Sequence, residues 1–174
     1  RIAGESAILE AVGRIERVYL DPDDSAAYPG AVQAILAADM IVTGPGSLFT
    51  SILPNFLVRD VTAAIRTSRA LKVYVCNVAT QPGETDGFSV DDHVRALDAH
   101  TEGNIFPLVI ANIRQHGTLL PDMDWTKLGS ASNGSRDIIS ADVVDEAFPW
   151  RHDSMKLSAV LCELLESNRR EIEF

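Results

Sequence analysis

Two glycines and three hydroxyls interrupt an apolar run in DMIVTGPGSLFTSILPNFLV, Asp39 to Val58. Gly44 and Gly46 let the backbone take positive φ and approach a ligand closely, because no Cβ intervenes. Pro45 completes the turn between them. The amides that open a following helix are unpaired and favour a phosphate or a carboxylate. Ser47, Thr50 and Ser51 stand three and four residues apart, so on a helix they share one face and could donate to such an anion. A tight strand-to-helix turn capped by Ser47 accounts for the same residues equally well.

A second cluster, Asn77 to Thr85 (NVATQPGET), follows another apolar run. Asn77, Thr80, Gln81, Glu84 and Thr85 carry donors and acceptors suited to sugar hydroxyls, a base edge or a phosphate. A surface loop in which Asn77 satisfies its own backbone is the plain alternative. The loop should leave the sheet at the same edge as the Gly-Pro-Gly turn, which puts a binding role ahead. The third cluster is Arg151-His152-Asp153. A guanidinium matches phosphate in bidentate fashion, and Asp153 could orient the imidazole or cap the last helix. Taken locally, a capped helix start with a solvated arginine is the simpler explanation.

Other chemistries find no support. His93 and His100 are seven apart, roughly 10 Å along a helix, too far to share an ion. No Cys/His pair has zinc spacing, and HExxH, GxSxG and the phosphate-loop lysine are missing. No metal site or catalytic residue is assigned. Asp91 and Asp92 read as partners of a helix N-terminus. Trp125 could stack on a base, although anchoring a loop to the core is the commoner role of such an aromatic.

The elements that must position these residues alternate. Ile15–Leu20 reads as a strand, Pro29–Ala38 as a helix with Pro29 at its start, and Met40–Thr43 as a short buried strand. A helix is expected from Asn55, as its cap, to Ser68. Lys72–Val78 is the all-apolar pattern of a central parallel strand. Ser89 and Asp92 form a capping box for a helix reaching His100. Pro107–Ala111 and Arg136–Ser140 read as strands, Arg114–Asn133 as irregular, and Asp153 as the cap of a helix carrying Leu157, Val160, Leu161, Leu164 and Leu165. This alternation predicts a parallel α/β sheet covered on both faces, with ligands beyond the carboxyl ends of its strands, after Thr43, Asn77, Asn112 and Ser140.

At 174 residues the chain is about one domain. With 25 acidic residues against 15 basic, its net charge of −10 opposes sequence-independent binding to nucleic acid or anionic lipid. No apolar run approaches the ~20 residues of a membrane span, and RIAGESAILE is not a secretory signal. Cys76 and Cys162 sit in apolar patterns and read as buried free thiols of a cytoplasmic protein. The start at Arg1, with Ala3 to Ser6 reading like an interior stretch, predicts a single α/β domain over 1–174 that is the C-terminal part of a longer chain.

ADMIVTGPGSLFTSILPNFLV (Ala38–Val58) and KVYVCNVATQPGETDGFSVDDHVRALDAH (Lys72–His100) closely resemble the bacterial gluconeogenesis factor family, the YvcK-like proteins. GES near the start and RHD near the end fit as well, so the resemblance spans nearly the whole chain. These proteins are related to the archaeal 2-phospho-L-lactate transferases (CofD-like), and TQPGET places the chain nearer the YvcK-like branch. The resemblance implies a Rossmann-like three-layer sandwich with a mainly parallel sheet, here lacking its N-terminal βα units. It implies a cytoplasmic binder of a UDP-sugar, linked to carbon metabolism and cell shape and without an established reaction. The alternative is a transferase moving a phospholactyl group from a nucleotide donor to a deazaflavin acceptor with a divalent metal such as Mg²⁺. By resemblance Gly44, Gly46, Ser47, Thr50 and Ser51 line the phosphate side. Asn77, Thr80, Gln81 and Glu84 face the sugar or base, and Arg151 pairs with the pyrophosphate. Phe49 stands where many relatives have Tyr, which removes one hydroxyl. The expected partner is a nucleotide sugar or nucleotide diphosphate, and open sheet edges make a homodimer an expectation too.

Overall fold

The computed structural model describes residues 2–4, 13–129 and 136–172. Apolar runs form four strands, β1 (Met40–Thr43), β2 (Leu71–Val75), β3 (Leu108–Asn112) and β4 (Asp137–Ala141), in the order β1-β2-β3-β4. All pairings are parallel, with Val42 opposite Val73, Tyr74 opposite Val109 and Ile110 opposite Ile139. Side chains of successive strand residues point to opposite faces, and two cores result. Tyr74, Cys76, Val109 and Ala111 pack with Phe56, Ile65, Leu97 and Phe106 on one face. Val73, Val75 and Ile110 face Leu157, Val160, Leu161 and Leu164 of the last helix on the other. The expected three-layer α/β architecture is therefore the observed one.

The helices are α1 (Pro29–Ala37), α2 (Leu53–Leu57), α3 (Arg59–Thr67), α4 (Val90–Thr101) and α5 (Ser154–Ile172), with a π-helical turn at Leu48–Ile52 ahead of α2. The capping box of α4 is present: the Ser89 hydroxyl accepts from the Asp92 amide and Asp92 Oδ2 accepts from the Ser89 amide. Asp153 Oδ1 accepts from the Met155 and Lys156 amides and so caps α5. Among the described residues no single helix is long and apolar enough to cross a membrane.

Four expectations are corrected. The single helix from Asn55 to Ser68 is two, meeting at an angle of 79°, because Val58 is extended and the Thr62 hydroxyl closes α2 by donating to the Phe56 carbonyl. Asn55 is not a cap; its amide donates to the Ser51 carbonyl. Ile15–Leu20 forms no strand. It is an irregular segment tied down by the Val18 amide, which donates to His100 Nε2 at 3.1 Å. Cys76 is buried as expected but Cys162 is exposed, since it lies on the outer side of α5. The irregular stretch after β3 is irregular as far as residue 129; Ser130 to Ser135 lie outside the described residues, as do Glu5 and Ser6 of the GES stretch.

Among the described residues no strand pairs along the outer edge of β1. No residue of α1 is buried, and Leu36 and Val42 remain 48% and 42% exposed.

Candidate functional site

All four strands deliver a loop to one cleft of about 410 Å³ at their carboxyl ends. Pro45, Gly46 and Ser47 follow β1; Asn77 to Gln81 follow β2; Met123 comes from the connection after β3; Trp150, Arg151 and His152 follow β4. The loops expected after the four strands do meet at this edge, and how they are pinned sets the shape of the cleft.

Gly44 makes the turn out of β1. Its φ is +81°, and a Cβ there would stand 2.6 Å from the Val75 carbonyl oxygen. Gly44→Ala should therefore cost about 2–3 kcal/mol through strain and backbone displacement, measured as a lowered urea midpoint; a neutral substitution would show that the turn can relax. The Gly44–Pro45 peptide is cis. Asn77 then locks the two glycine-bearing loops together. Its Oδ1 accepts from the Gly46 amide at 3.1 Å, and its Nδ2 donates to the Gly46 carbonyl at 2.9 Å and to Gln81 Oε1 at 3.2 Å. Asn77 was expected to face the ligand; its polar atoms are occupied in holding Gly46.

The largest departure concerns Glu84. The open helix start after Ser47 was expected to cradle a phosphate, with Glu84 facing the sugar or base. Instead the Glu84 carboxylate fills that anion position itself. Oε1 accepts from the Phe49 and Thr50 amides at 2.9 and 3.0 Å, and both oxygens accept from Ser47 Oγ at 2.6 and 2.7 Å. Ser47 Oγ also contacts Thr50 Oγ1 and accepts from the Thr50 amide at 3.4 Å. Glu84 is only 3% exposed, so it is a helix cap inside the protein. The wider π-helical turn, closed by the Ile52 amide on the Ser47 carbonyl, breaks up the expected row of hydroxyls. The Ser47 hydroxyl turns to Glu84 and the Thr50 hydroxyl to Ser47, while Ser51 is exposed.

Thr80 and Thr85 are also structural. Thr80 Oγ1 accepts from the Asp124 amide and Thr85 Oγ1 from the Gln81 amide, both buried. The stretch around Trp125 straps the β2 loop through a bridge between Trp125 and Ala79, which fixes Trp125 as an anchor. The aromatic lining the cleft is Trp150, packed edge-on to Phe148 at 5.6 Å.

What remains to meet a ligand is Gln81, Trp150, Arg151 and His152, with Pro45, Gly46 and Ser47 as the opposite wall. Arg151 is exposed, and its guanidinium lies 5.5 Å from the Phe148 ring centre. His152 was not among the expected site residues. Its Nε2 donates to the Cys76 carbonyl at 3.1 Å, which leaves Nδ1 as an acceptor, and burial lowers its pKa below the ordinary histidine value. The signal available was its place between Arg151 and Asp153, which local reading gave to helix capping. Cys76 beneath it is inert, its thiol pushed up to about 12 by burial.

Residues 1–168 match the family described as 2-phospho-L-lactate transferase CofD. The gluconeogenesis factor of Halalkalibacterium halodurans is 46% identical over 93% of this chain and 53% of its own length. That of Bacillus subtilis is 36% identical over 95% of this chain and 55% of its own. A crystal structure of a UPF0052 family member from Bacillus halodurans superposes with a TM-score of 0.86 at 35% identity, covering 91% of this chain and 54% of that one. The chain spans between 38% and 55% of the length of these and other curated relatives.

Proposed function

Since the chain belongs to the CofD family and is similar to gluconeogenesis factors, we propose that it is a cytoplasmic nucleotide-sugar binding protein that regulates carbon metabolism and cell shape. The ligand class is a UDP-sugar held in the cleft beyond the strands' carboxyl ends. One observation carries this reading: loops from all four strands converge there on a single exposed guanidinium, Arg151, beside Trp150. The guanidinium suits a diphosphate and the indole a base or sugar face. Because Glu84 fills the helix start, the phosphates are assigned to Arg151 and the mouth of the Pro45–Ser47 turn. The open β1 edge and the unburied α1 support a second part of the proposal. This chain is the C-terminal part of a longer polypeptide whose further βα units pair along β1 and complete the cleft.

The test is a calorimetric titration of the protein with UDP-N-acetylglucosamine, with GDP and a deazaflavin alcohol as comparisons. Saturable binding of the UDP-sugar should weaken about 10-fold or more in Arg151→Ala, the size of a lost charge-assisted hydrogen bond. Unchanged affinity in that variant removes the cleft from the proposal.

A transferase reading has the family's own description behind it. Its divalent metal, however, finds no fitting donor set among the described residues. Among these no three His, Cys, Asp or Glu side chains come together to hold an ion, and Glu84, bonded to the cleft residue Ser47, is committed to that hydroxyl and two amides. No step through a metal is derived.

A further inference from the structure

The fold has a second and larger cleft, about 870 Å³, between the segment at residues 17–23, the corner of α2 and α3, and the C-terminal end of α4. It shares no lining residue with the carboxyl-edge cleft. We propose that this second cleft binds a small phosphate- or carboxylate-bearing compound that carries hydroxyl or ammonium donors at its other end.

Three arginines, Arg17, Arg59 and Arg66, line it, and among the described residues none has a carboxylate partner within 4.0 Å. Arg69 and Arg151 are likewise without such a partner among the described residues, but only here do three unpaired guanidiniums line one cleft. Acidic residues outnumber basic ones 25 to 15, and Arg14, Arg95, Arg114, Arg136, Arg169 and Arg170 all form ion pairs. Arg59 and Arg66 are seven apart on α3 and so share a face, with the smaller Thr62 and Ala63 between them leaving room above the helix. Arg66 already donates to the Thr101 carbonyl, which closes the end of α4, but a guanidinium has five donors and most stay available. Arg17 lies 5.7 Å from the Tyr19 ring centre, and Arg59 makes no hydrogen bond or ion pair among the described residues. Phe56 and Leu57 supply an apolar wall. The volume lies within the ~300–1,000 Å³ of small-molecule sites.

Asp21, Asp23 and Glu102 line the same cleft. Three carboxylates against three guanidiniums leave no long-range pull on anions, so recognition occurs at contact. The acids also set the class of ligand: an anionic group meets the arginines, and donors at the other end meet the carboxylates.

His100 forms part of the wall, and its ring therefore reports occupancy. Inorganic phosphate, then glycerol 3-phosphate, would be titrated into the full protein at constant ionic strength while the nitrogen resonances of His100 and the arginine side chains are followed. The expected result is saturable shifts, tighter for glycerol 3-phosphate, weakened at least 10-fold in Arg59→Ala and Arg17→Ala and unaffected in Arg151→Ala. Arg66 is left intact because it closes α4. Shifts that stay linear in phosphate, or that survive Arg59→Ala, overturn the proposal. So does equal loss in Arg151→Ala, which would place the anion in the other cleft.

Discussion

Glu84→Ala is expected to lower the unfolding free energy by on the order of 4 kcal/mol. The substitution orphans the buried Phe49 amide, leaves the part-buried Thr50 amide only its long bond to Ser47 Oγ, each loss worth about 1–3 kcal/mol, and frees Ser47 Oγ from its acceptor. Glu84→Gln provides the decisive contrast. Both amides donate to Oε1, so a glutamine that places its carbonyl there keeps them satisfied and turns its amide to Ser47 Oγ, which can accept. Only the attraction of a full charge for the helix start is lost, about 1 kcal/mol. Urea unfolding of the two variants would show this ranking. If Glu84→Gln is as damaging as Glu84→Ala, charge and not hydrogen bonding holds the turn; if neither matters, the cap is not a structural element. On the proposed function, UDP-sugar affinity should fall in Glu84→Ala, because Ser47 and Gly46 form one wall of the cleft.

The same residue marks the boundary of what could be read from the sequence. The strands were legible because an all-apolar run such as KVYVCNV has few alternatives, and the α4 cap was legible because Ser89 and Asp92 are three residues apart. The cleft's edge followed from the parallel topology alone. The partner of Ser47 was not legible: Glu84 lies 37 positions away, and a polar loop offers no clue that one of its acids turns inward. The cue present was an anion-favouring helix start with no local acid to fill it. The break at Val58 was hidden for a related reason. Neither glycine nor proline occurs there, and the Thr62–Phe56 hydrogen bond that stabilises it is a detail of packing. Trp125 takes the commoner, anchoring role because the strap from residue 124 to 126 bonds to the β2 loop, a long-range pairing that composition does not encode, and Trp150, given no role from the sequence, lines the cleft.

Stability should also fall as the pH drops below about 6.5, the ordinary histidine value. Burial lowers the pKa of His93, His100 and His152, with Arg17 adding to the effect at His100. Two of these rings have contacts that favour the neutral form. His93 bonds to the Ser89 carbonyl through Nδ1, stands edge-on to Phe88 and leaves Nε2 buried without a partner. His100 donates from Nδ1 to the Ala96 carbonyl, so its Nε2 must be unprotonated to accept from the Val18 amide. Protonation there abolishes the tie on the segment before α1. Below the ordinary value the unfolded chain takes up protons that the folded chain refuses, so these contributions are complete above pH ~6.5 and decline as acid is added. The limiting slope is about 1.4 kcal/mol per pH unit for each such proton. Asp92 acts in a different window: burial pushes its carboxyl up, but the Ser89 hydroxyl and amide and Arg95 outweigh this and hold it below the usual value, so its contribution is lost only in stronger acid. Urea midpoints at pH 7.5, 6.5 and 5.5 would test the account, with the drop concentrated in the last interval and reduced in His93→Gln. A midpoint constant down to pH 5.5 would mean that the three rings ionise in place, and that the Val18–His100 bond does not hold the segment.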